Sequence, residues 1–509
     1  LRPIITNNSC GRVFSIKKQK KEGYLMPLMT SKQYVESIRN MNSTIYFQGE
    51  KIKNPVDHPV LRPSMNCLIE SYDMAFMPEY EDLMTTTSHL TGEKINRFNH
   101  VHQSKEDLIK KVKLQRLMGQ RTASCFQRCV IMDCANAFYS TTYEIDQKYG
   151  TDYFEKFKKF LIRVQNEDLI IAGALTDPKG DRSQPIGGDG QDKDLYLHVV
   201  ERRADGVVVN GAKAHLTGIT NAHEVVVLPT QALKPGQEDY AIAFTIPLDA
   251  PGVTMIIGRQ SCDTRKLEEG ADIDLGNAKY GGIEALTVFD HVFIPNERIF
   301  LNGEVDFAGV LVERFAGYHR NSYGGCKVGV GDVVVGLASL LAEYNGTERA
   351  SHIKDKLIEM TQLNEQLYCA GIASSAEGYE MPAGNYMVDL LLANVCKLNI
   401  TRYPYEIVRL MEDIAGGIMV TAPSEADLKS TDVGGYVKKY LVGHGVDAEN
   451  RLRALRLCEN LSLGTAAVGY RTESMHGAGS PQAQKVFIAR QANFEGKKAL
   501  AKRIAGIKN

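Results

Sequence analysis

Tryptophan is absent from the 509 residues, cysteine occurs only ten times, and neither sign of charge is in excess. Ten cysteines are too sparse for a disulfide framework, which leaves them as thiols, ligands or core residues. Sixty Lys and Arg against 61 Asp and Glu give a net charge of −1, without the basic surplus of a polyanion binder. Nucleic acid is therefore not an expected partner. Runs of about 18 consecutive apolar residues are also lacking, so no membrane span is expected. No short apolar core with a cleavage site marks secretion, and a cytoplasmic location is the expectation. The missing tryptophan carries no functional meaning.

What is present is ordinary globular chain, 43% apolar and 24% charged, long enough for several structural units around a deep core. Residues 1–28 begin with Leu1, carry four lysines without amphipathic order, and read as a leader or an upstream translated stretch. Residues 29–168 read as a mainly α-helical N-terminal domain. Ser104 with Asp107 resembles a capping box ahead of Leu108, Ile109, Val112, Leu114 and Leu117. Residues 169–300 change to short β-branched runs at 206–210, 224–228, 241–246 and 285–289, divided by Gly, Pro and Asp, and read as a β domain. Residues 301–509 return to helical patterns, including 332–344, 354–376, 386–399 and 451–463. The expected class is α+β, ordered helical, β, helical. No repeat is evident, and Gly329, Gly331 and Gly336 support neither a dinucleotide fingerprint nor a P-loop.

Cys125 and Cys129 lie four apart in a stretch that reads as helical, which would stack two soft ligands on one face. The competing reading makes Cys125, Cys129 and Cys134 small apolar core residues. His319 and Cys326 flank Gly324-Gly325, read as a turn that lets backbone approach a bulky inorganic group. His319 as an interior hydrogen-bonded histidine and Cys326 as packing remain open beside a Cys3His set. Thr176-Asp-Pro-Lys-Gly-Asp-Arg182 and Lys213-Ala-His-Leu-Thr-Gly-Ile-Thr-Asn221 offer amides, hydroxyls and charges suited to a flavin and its pyrophosphate. The first is equally an exposed turn. Glu284 and Glu473 sit beside glycines, where an acid or base could occupy a confined pocket.

Five segments together resemble the 4-hydroxybutyryl-CoA dehydratase family: Thr122–Cys129, Thr176–Arg182, Arg259-Gln-Ser-Cys-Asp-Thr-Arg265, Glu313-Arg-Phe-Ala-Gly-Tyr-His-Arg320, and Tyr470-Arg-Thr-Glu-Ser-Met-His-Gly-Ala-Gly-Ser-Pro-Gln482. The likeness runs from about Met29 to the C-terminus. It implies an acyl-CoA-dehydrogenase-like subunit, a homotetramer, and FAD beside a 4Fe-4S cluster. By resemblance Cys125, Cys129, His319 and Cys326 are the cluster ligands. The flavin contacts include Leu175, Thr176, Asp177, Pro178, Lys179, Gly180, Asp181, Arg182, His215, Leu216 and Thr217, and Glu412–Gly417 resembles a later flavin-contacting region. Arg259 and Arg265 are candidates for phosphate contacts or surface salt bridges. The leader and the segment from Lys429 to Asn450, the latter shorter than the family pattern, depart from the resemblance.

The implied reaction converts the CoA thioester 4-hydroxybutyryl-CoA to crotonyl-CoA, with isomerisation of vinylacetyl-CoA as a second activity. The hydroxyl is γ and the C3 proton is unactivated, so the family passes through an enoxy radical formed with flavin, with no net redox change. His319 is expected as ligand and base at C2, Glu473 as an assisting acid or base, Tyr323 as donor to the leaving oxygen, and Glu284 as a further pocket group. The competing expectations are a two-component flavin monooxygenase of the 4-hydroxyphenylacetate hydroxylase type and a non-enzymatic cluster-containing redox sensor.

Overall fold

The computed structural model describes residues 28–259, 264–268 and 270–507. Nearly all of the expected leader, and Gln260 to Asp263 of the arginine-flanked segment, lie outside the described residues.

Two sheets and a helical layer share the core. The larger sheet has six strands, in the order Glu50–Lys51, Thr44–Phe47, Val253–Ile257, Glu284–Pro295, Gly206–Thr217 and His198–Arg202. The smaller has four, in the order Ile299–Asn302, Ile242–Pro247, Glu224–Val227 and Ile171–Ala174. Along Glu284–Pro295 buried and accessible residues largely alternate, the mark of a strand with one face on a core. Glu224–Val227 is buried throughout, because the small sheet is covered on both sides. Val225 and Val227 pack with Val209, Met255 and Phe289, while Val226 packs with Phe138 and Phe157 of the helical layer. The mainly helical N-terminal region is thus not separate from the β unit, since Thr44–Phe47 pairs in parallel with Val253–Ile257.

Among the helices, those that bear on the candidate site are α1 (Lys105–Thr122), α2 (Cys129–Tyr149), α3 (Val305–Tyr344), α4 (Ser351–Ala376) and α5 (Leu390–Ile400). At 40 residues, α3 is far longer than the expected 332–344 and runs unbroken through the glycines that read as a turn. Those glycines serve contact between helices. A Cβ on Gly325 would lie 2.4 Å from the Val112 carbonyl oxygen of α1, and one on Gly324 would lie 2.7 Å from Gly371 Cα of α4. Among the described residues, α3 alone is long and apolar enough to cross a membrane, yet 61% of its most apolar window is buried against neighbouring helices. The expected helix 386–399 begins later, at Leu390, where the Asp389 side chain accepts the Leu392 N–H as N-cap.

Candidate active site

The first correction concerns the cysteine pair. Helix α1 ends where Ala123 takes φ of 47°, and Gln127 is also left-handed at 64°. Cys125 therefore sits in a loop and Cys129 opens α2, so the two thiols do not share a helical face. The loop is pinned from below: Gln127 Nε2 donates to Ser64 Oγ at 2.6 Å, and the Arg128 guanidinium lies 4.2 Å from the Tyr72 ring. Arg128 also pairs with Asp168, and both side chains are buried. His319, Tyr323 and Cys326 follow at four- and three-residue steps along one face of α3, directed at this loop.

Two of the four expected ligand residues, Cys129 and His319, meet here. Candidate ligand atoms of Cys129, His319 and the unanticipated Asp133 lie within 4.8 Å of one another. Cys125 and Cys326 are close enough to Cys129 to raise its thiol electrostatically, and Cys326 does the same to Cys125. Burial pushes all three up, Cys326 to about 11 and the other two well above their usual value. Burial thus favours the protonated form of all three thiols, and ionising them would require a cation close by. Cys134 faces away, packed with Ala135 and Phe138, as the core reading expected.

His319 Nδ1 lies 2.7 Å from Asp133 Oδ2, and the ring stacks on Phe315 and meets Tyr323 edge-on at 5.4 Å. Burial opposes the Asp133 charge, but Lys111 Nζ at 2.7 Å and His319 hold its carboxyl below the usual range. Tyr323 is 2% exposed, and its hydroxyl is buried without a hydrogen-bond partner among the described residues. That oxygen lies against Gly477, where a Cβ would approach it to 2.2 Å, so a side chain at 477 would displace the phenol.

Glu473 follows a π-helical turn, Val468–Thr472, of the kind that often marks functional sites. Two buried lysines hold this segment. Lys327 Nζ donates to the Gly469 carbonyl at 2.6 Å and to Glu473 Oε2 at 3.1 Å, and Lys397 Nζ donates to the Ser474 carbonyl at 2.5 Å. Lys397 also lies 4.8 Å from the Tyr323 ring, and burial lowers its ammonium to about 7. On the opposite side, Glu284 accepts from Thr217 Oγ1 at 2.6 Å. Burial and the Glu473 charge raise the Glu284 carboxyl to about 8. Thr217, Glu284, Glu473, Lys327 and Cys326 thus link the flavin-like strand end to the thiols.

The flavin-like turns fall together as well. Ala214 N donates to the Thr176 carbonyl at 2.7 Å, which joins the two segments. Lys179 and Gly180 both have positive φ, and His215 adopts φ of 60° beside a register shift in the Glu284–Pro295 ladder. Leu216 is buried, and Asp181 and Arg182 are exposed after Pro178. Asp177 is turned inward: its carboxylate meets Lys213 Nζ at 2.8 Å and accepts the Leu197 N–H at 3.0 Å. Its side chain therefore holds the turn, and backbone and neighbouring side chains are left to face a ligand. Burial lowers the His215 imidazole, with His476 and Lys179 adding to the effect, which puts Glu473's segment beside this turn. Glu412, Gly416 and Gly417 line a separate open hollow of about 440 Å³ with Val420 and Leu463. Arg265 pairs with Glu459 at 3.0 Å, and Arg259 is exposed.

Sequence reasoning missed Asp133, Lys111, Lys327 and Lys397. Asp133 stands one helical turn after Cys129 and Lys327 one turn after Tyr323, a spacing that could have flagged both.

Family models of the 4-hydroxyphenylacetate 3-hydroxylase N-terminal and C-terminal regions match residues 30–301 and 308–506. The chain is 63% identical over 490 residues to a 4-hydroxybutyryl-CoA dehydratase/vinylacetyl-CoA-Δ-isomerase of Clostridium aminobutyricum, covering 94% of this chain and all of that protein. An oxygen-tolerant archaeal 4-hydroxybutyryl-CoA dehydratase structure from N. maritimus superimposes with a TM-score of 0.92 at 54% identity, covering 95% of this chain and 96% of the other. The oxygenase component of 4-hydroxyphenylacetate 3-monooxygenase, solved with FAD, shares the fold at a TM-score of 0.83 and 22% identity, covering 94% and 98%.

Proposed function

Because this chain belongs to the 4-hydroxybutyryl-CoA dehydratase family, within the wider 4-hydroxyphenylacetate 3-hydroxylase family, we propose that it dehydrates 4-hydroxybutyryl-CoA to crotonyl-CoA. Isomerisation of vinylacetyl-CoA to crotonyl-CoA is its second activity. The observation that carries this reading is the gathering of Cys125, Cys129, Cys326 and His319 beside Tyr323, Glu473 and Glu284. The monooxygenase alternative gives this soft-ligand set no task.

The donor set suits an iron–sulfur cluster: three thiols, Cys129 buried and Cys125 and Cys326 half-buried, one imidazole, and at their edge the Tyr323 hydroxyl, which has no hydrogen-bond partner among the described residues. The turn at Leu175–Arg182, with His215–Thr217, suits FAD. When bound, FAD would supply reversible one-electron oxidation that acidifies C3, and a 4Fe-4S cluster Lewis acidity toward the departing hydroxide.

The chain's own residues divide the proton work. Asp133 is a carboxylate and only accepts hydrogen bonds, so His319 carries its proton on Nδ1 and presents one lone pair at Nε2. That lone pair binds metal or takes the C2 proton, one at a time. Tyr323 O–H donates toward the leaving oxygen. Glu473, paired with Lys327, assists as acid or base. Glu284, protonated near neutral pH, and Thr217 line the side toward the flavin turn. Two neighbouring carboxyls in different environments separate acid and base tasks. The free thiols among the described residues suit a reducing cytoplasm. Exposed Val420, Tyr436, Tyr440 and Leu463 supply apolar surface for subunit contacts in a homotetramer.

Anaerobic purification, followed by iron, sulfide and flavin analysis of the sample assayed with 4-hydroxybutyryl-CoA, tests the reading. Crotonyl-CoA formation by protein holding all three supports it, and inactive protein holding flavin alone refutes it.

A further inference from the structure

A buried polar chain runs behind the candidate metal ligands and ends on His319. Asp133 is wholly buried and accepts from Lys111 Nζ at 2.7 Å, from Ser322 Oγ at 3.1 and 3.2 Å, and lies 2.7 Å from His319 Nδ1. Lys111 is equally buried and also donates to the Tyr318 carbonyl at 2.7 Å. Ser322 Oγ receives the Gln115 amide at 3.0 Å, which completes the chain. Three helices contribute: Lys111 and Gln115 from α1, Asp133 from α2, His319 and Ser322 from α3.

Asp133 stands close enough to Cys129 and His319 to be mistaken for a third metal ligand. Its bonds argue otherwise. Both carboxylate oxygens are already engaged, Oδ1 by Lys111 and Oδ2 by His319, with the single Ser322 O–H within reach of both and of the Tyr318 carbonyl. An ion taking either oxygen would have to displace a buried lysine or the histidine itself. Metal-bound histidines generally donate their other ring N–H to a carboxylate, which fixes the tautomer and makes the ligating nitrogen more basic.

We infer that Asp133, anchored by Lys111, is a positioning residue that locks His319 in the Nδ1–H tautomer and so leaves Nε2 to ligate the cluster when one is bound. This inference rests on the cluster reading above. It goes further by assigning the task to a residue outside the ligand set. Asp133 sets how tightly His319 holds iron, and so how readily that imidazole can leave to take a proton.

The test uses anaerobic holoenzyme. Asp133→Asn alone leaves Lys111 as a buried unpaired cation, so Asp133→Asn with Lys111→Met is made beside it. The readouts are iron and sulfide per chain, the rate of iron loss to a chelator, and the spectrum of the reduced cluster. The expected result is retained flavin, an altered cluster spectrum and iron loss about 10- to 100-fold faster in both variants. In a His319→Ala background, Asp133→Asn should add little, which a purely structural role for Asp133 would not produce. Parental chelation kinetics and spectrum in the double variant, or an undiminished effect without His319, would overturn the inference. Absence of iron and sulfide from the parent protein is a different outcome, which overturns the cluster reading itself.

Discussion

At the scale of single residues, the site contrasts groups held charged with groups held neutral. Glu284 is kept neutral by burial and by Glu473, with its carboxyl raised from 4.5 to about 8. The folded chain therefore binds this proton more tightly than the unfolded chain, and the linked stability is present in full below about pH 4.5 and lost as pH rises through 8. Glu284→Gln is expected to remove that part of the slope, read as chemical-denaturation midpoints at a series of pH values from 4.5 to 9. Tyr323→Phe removes only an oxygen that has no hydrogen-bond partner among the described residues. Stability should hold within about 1 kcal/mol while the dehydration rate falls about 100-fold or more, the size typical of a lost general acid. Equal turnover by the Phe variant would take Tyr323 out of the reaction.

At the scale of elements, α3 illustrates what the sequence disclosed and what it concealed. His319, Tyr323 and Cys326 were legible as chemistry, because their residue types and proximity are unusual. The element carrying them was misread because paired glycines usually signal a turn. Here tertiary contact decides instead, since only glycine lets α1 and α4 come so near. Conversely, the Cys125 loop looked helical because neither left-handed residue, Ala123 or Gln127, is a type that announces that conformation. Gly329→Ala would place a methyl 2.1 Å from the Arg116 carbonyl oxygen. We expect a loss of about 1–3 kcal/mol in unfolding free energy, the usual cost of overpacking. A second joint links the segment at 272–274 to the C-terminal helices. There Glu425 accepts the backbone N–H groups of Asp272, Ile273 and Asp274 at 2.7–3.2 Å. Burial opposes this charge, but Lys429 and the three N–H donors hold the carboxyl at about 2. Its contribution is present above about pH 4.5 and is lost as pH falls toward 2. Glu425→Gln should accordingly flatten the acid limb of a thermal-melting profile.

At the scale of the whole molecule, function depends on joining stretches far apart in the chain. Composition and periodicity gave the broad mixture of helix and strand, but not the parallel pairing of Thr44–Phe47 with Val253–Ile257. Local spacing could not bring Cys129 to His319, 190 positions away. The resemblance of five separated segments to one family anticipated that convergence, and the fold performs it by packing α1 and α2 against α3. Lys111 and Lys397 escaped notice because ordinary charged residues gain their roles only from buried surroundings that no local pattern encodes. Lys397→Met would leave the Ser474 carbonyl without its buried donor and loosen Glu473's segment from α5. Dehydration is expected to fall while iron, sulfide and flavin contents stay at parental levels, as metal and flavin analysis of the assayed sample would show.

The central claim is that three cysteines and one histidine from distant segments hold an iron–sulfur centre. Iron K-edge absorption on anaerobically purified protein addresses it most directly. The account predicts about four irons per chain in a sulfur-dominated shell, with a light-atom contribution that diminishes in His319→Ala. Iron at trace level, or a spectrum unchanged by removing His319 and by Cys326→Ala, would contradict it.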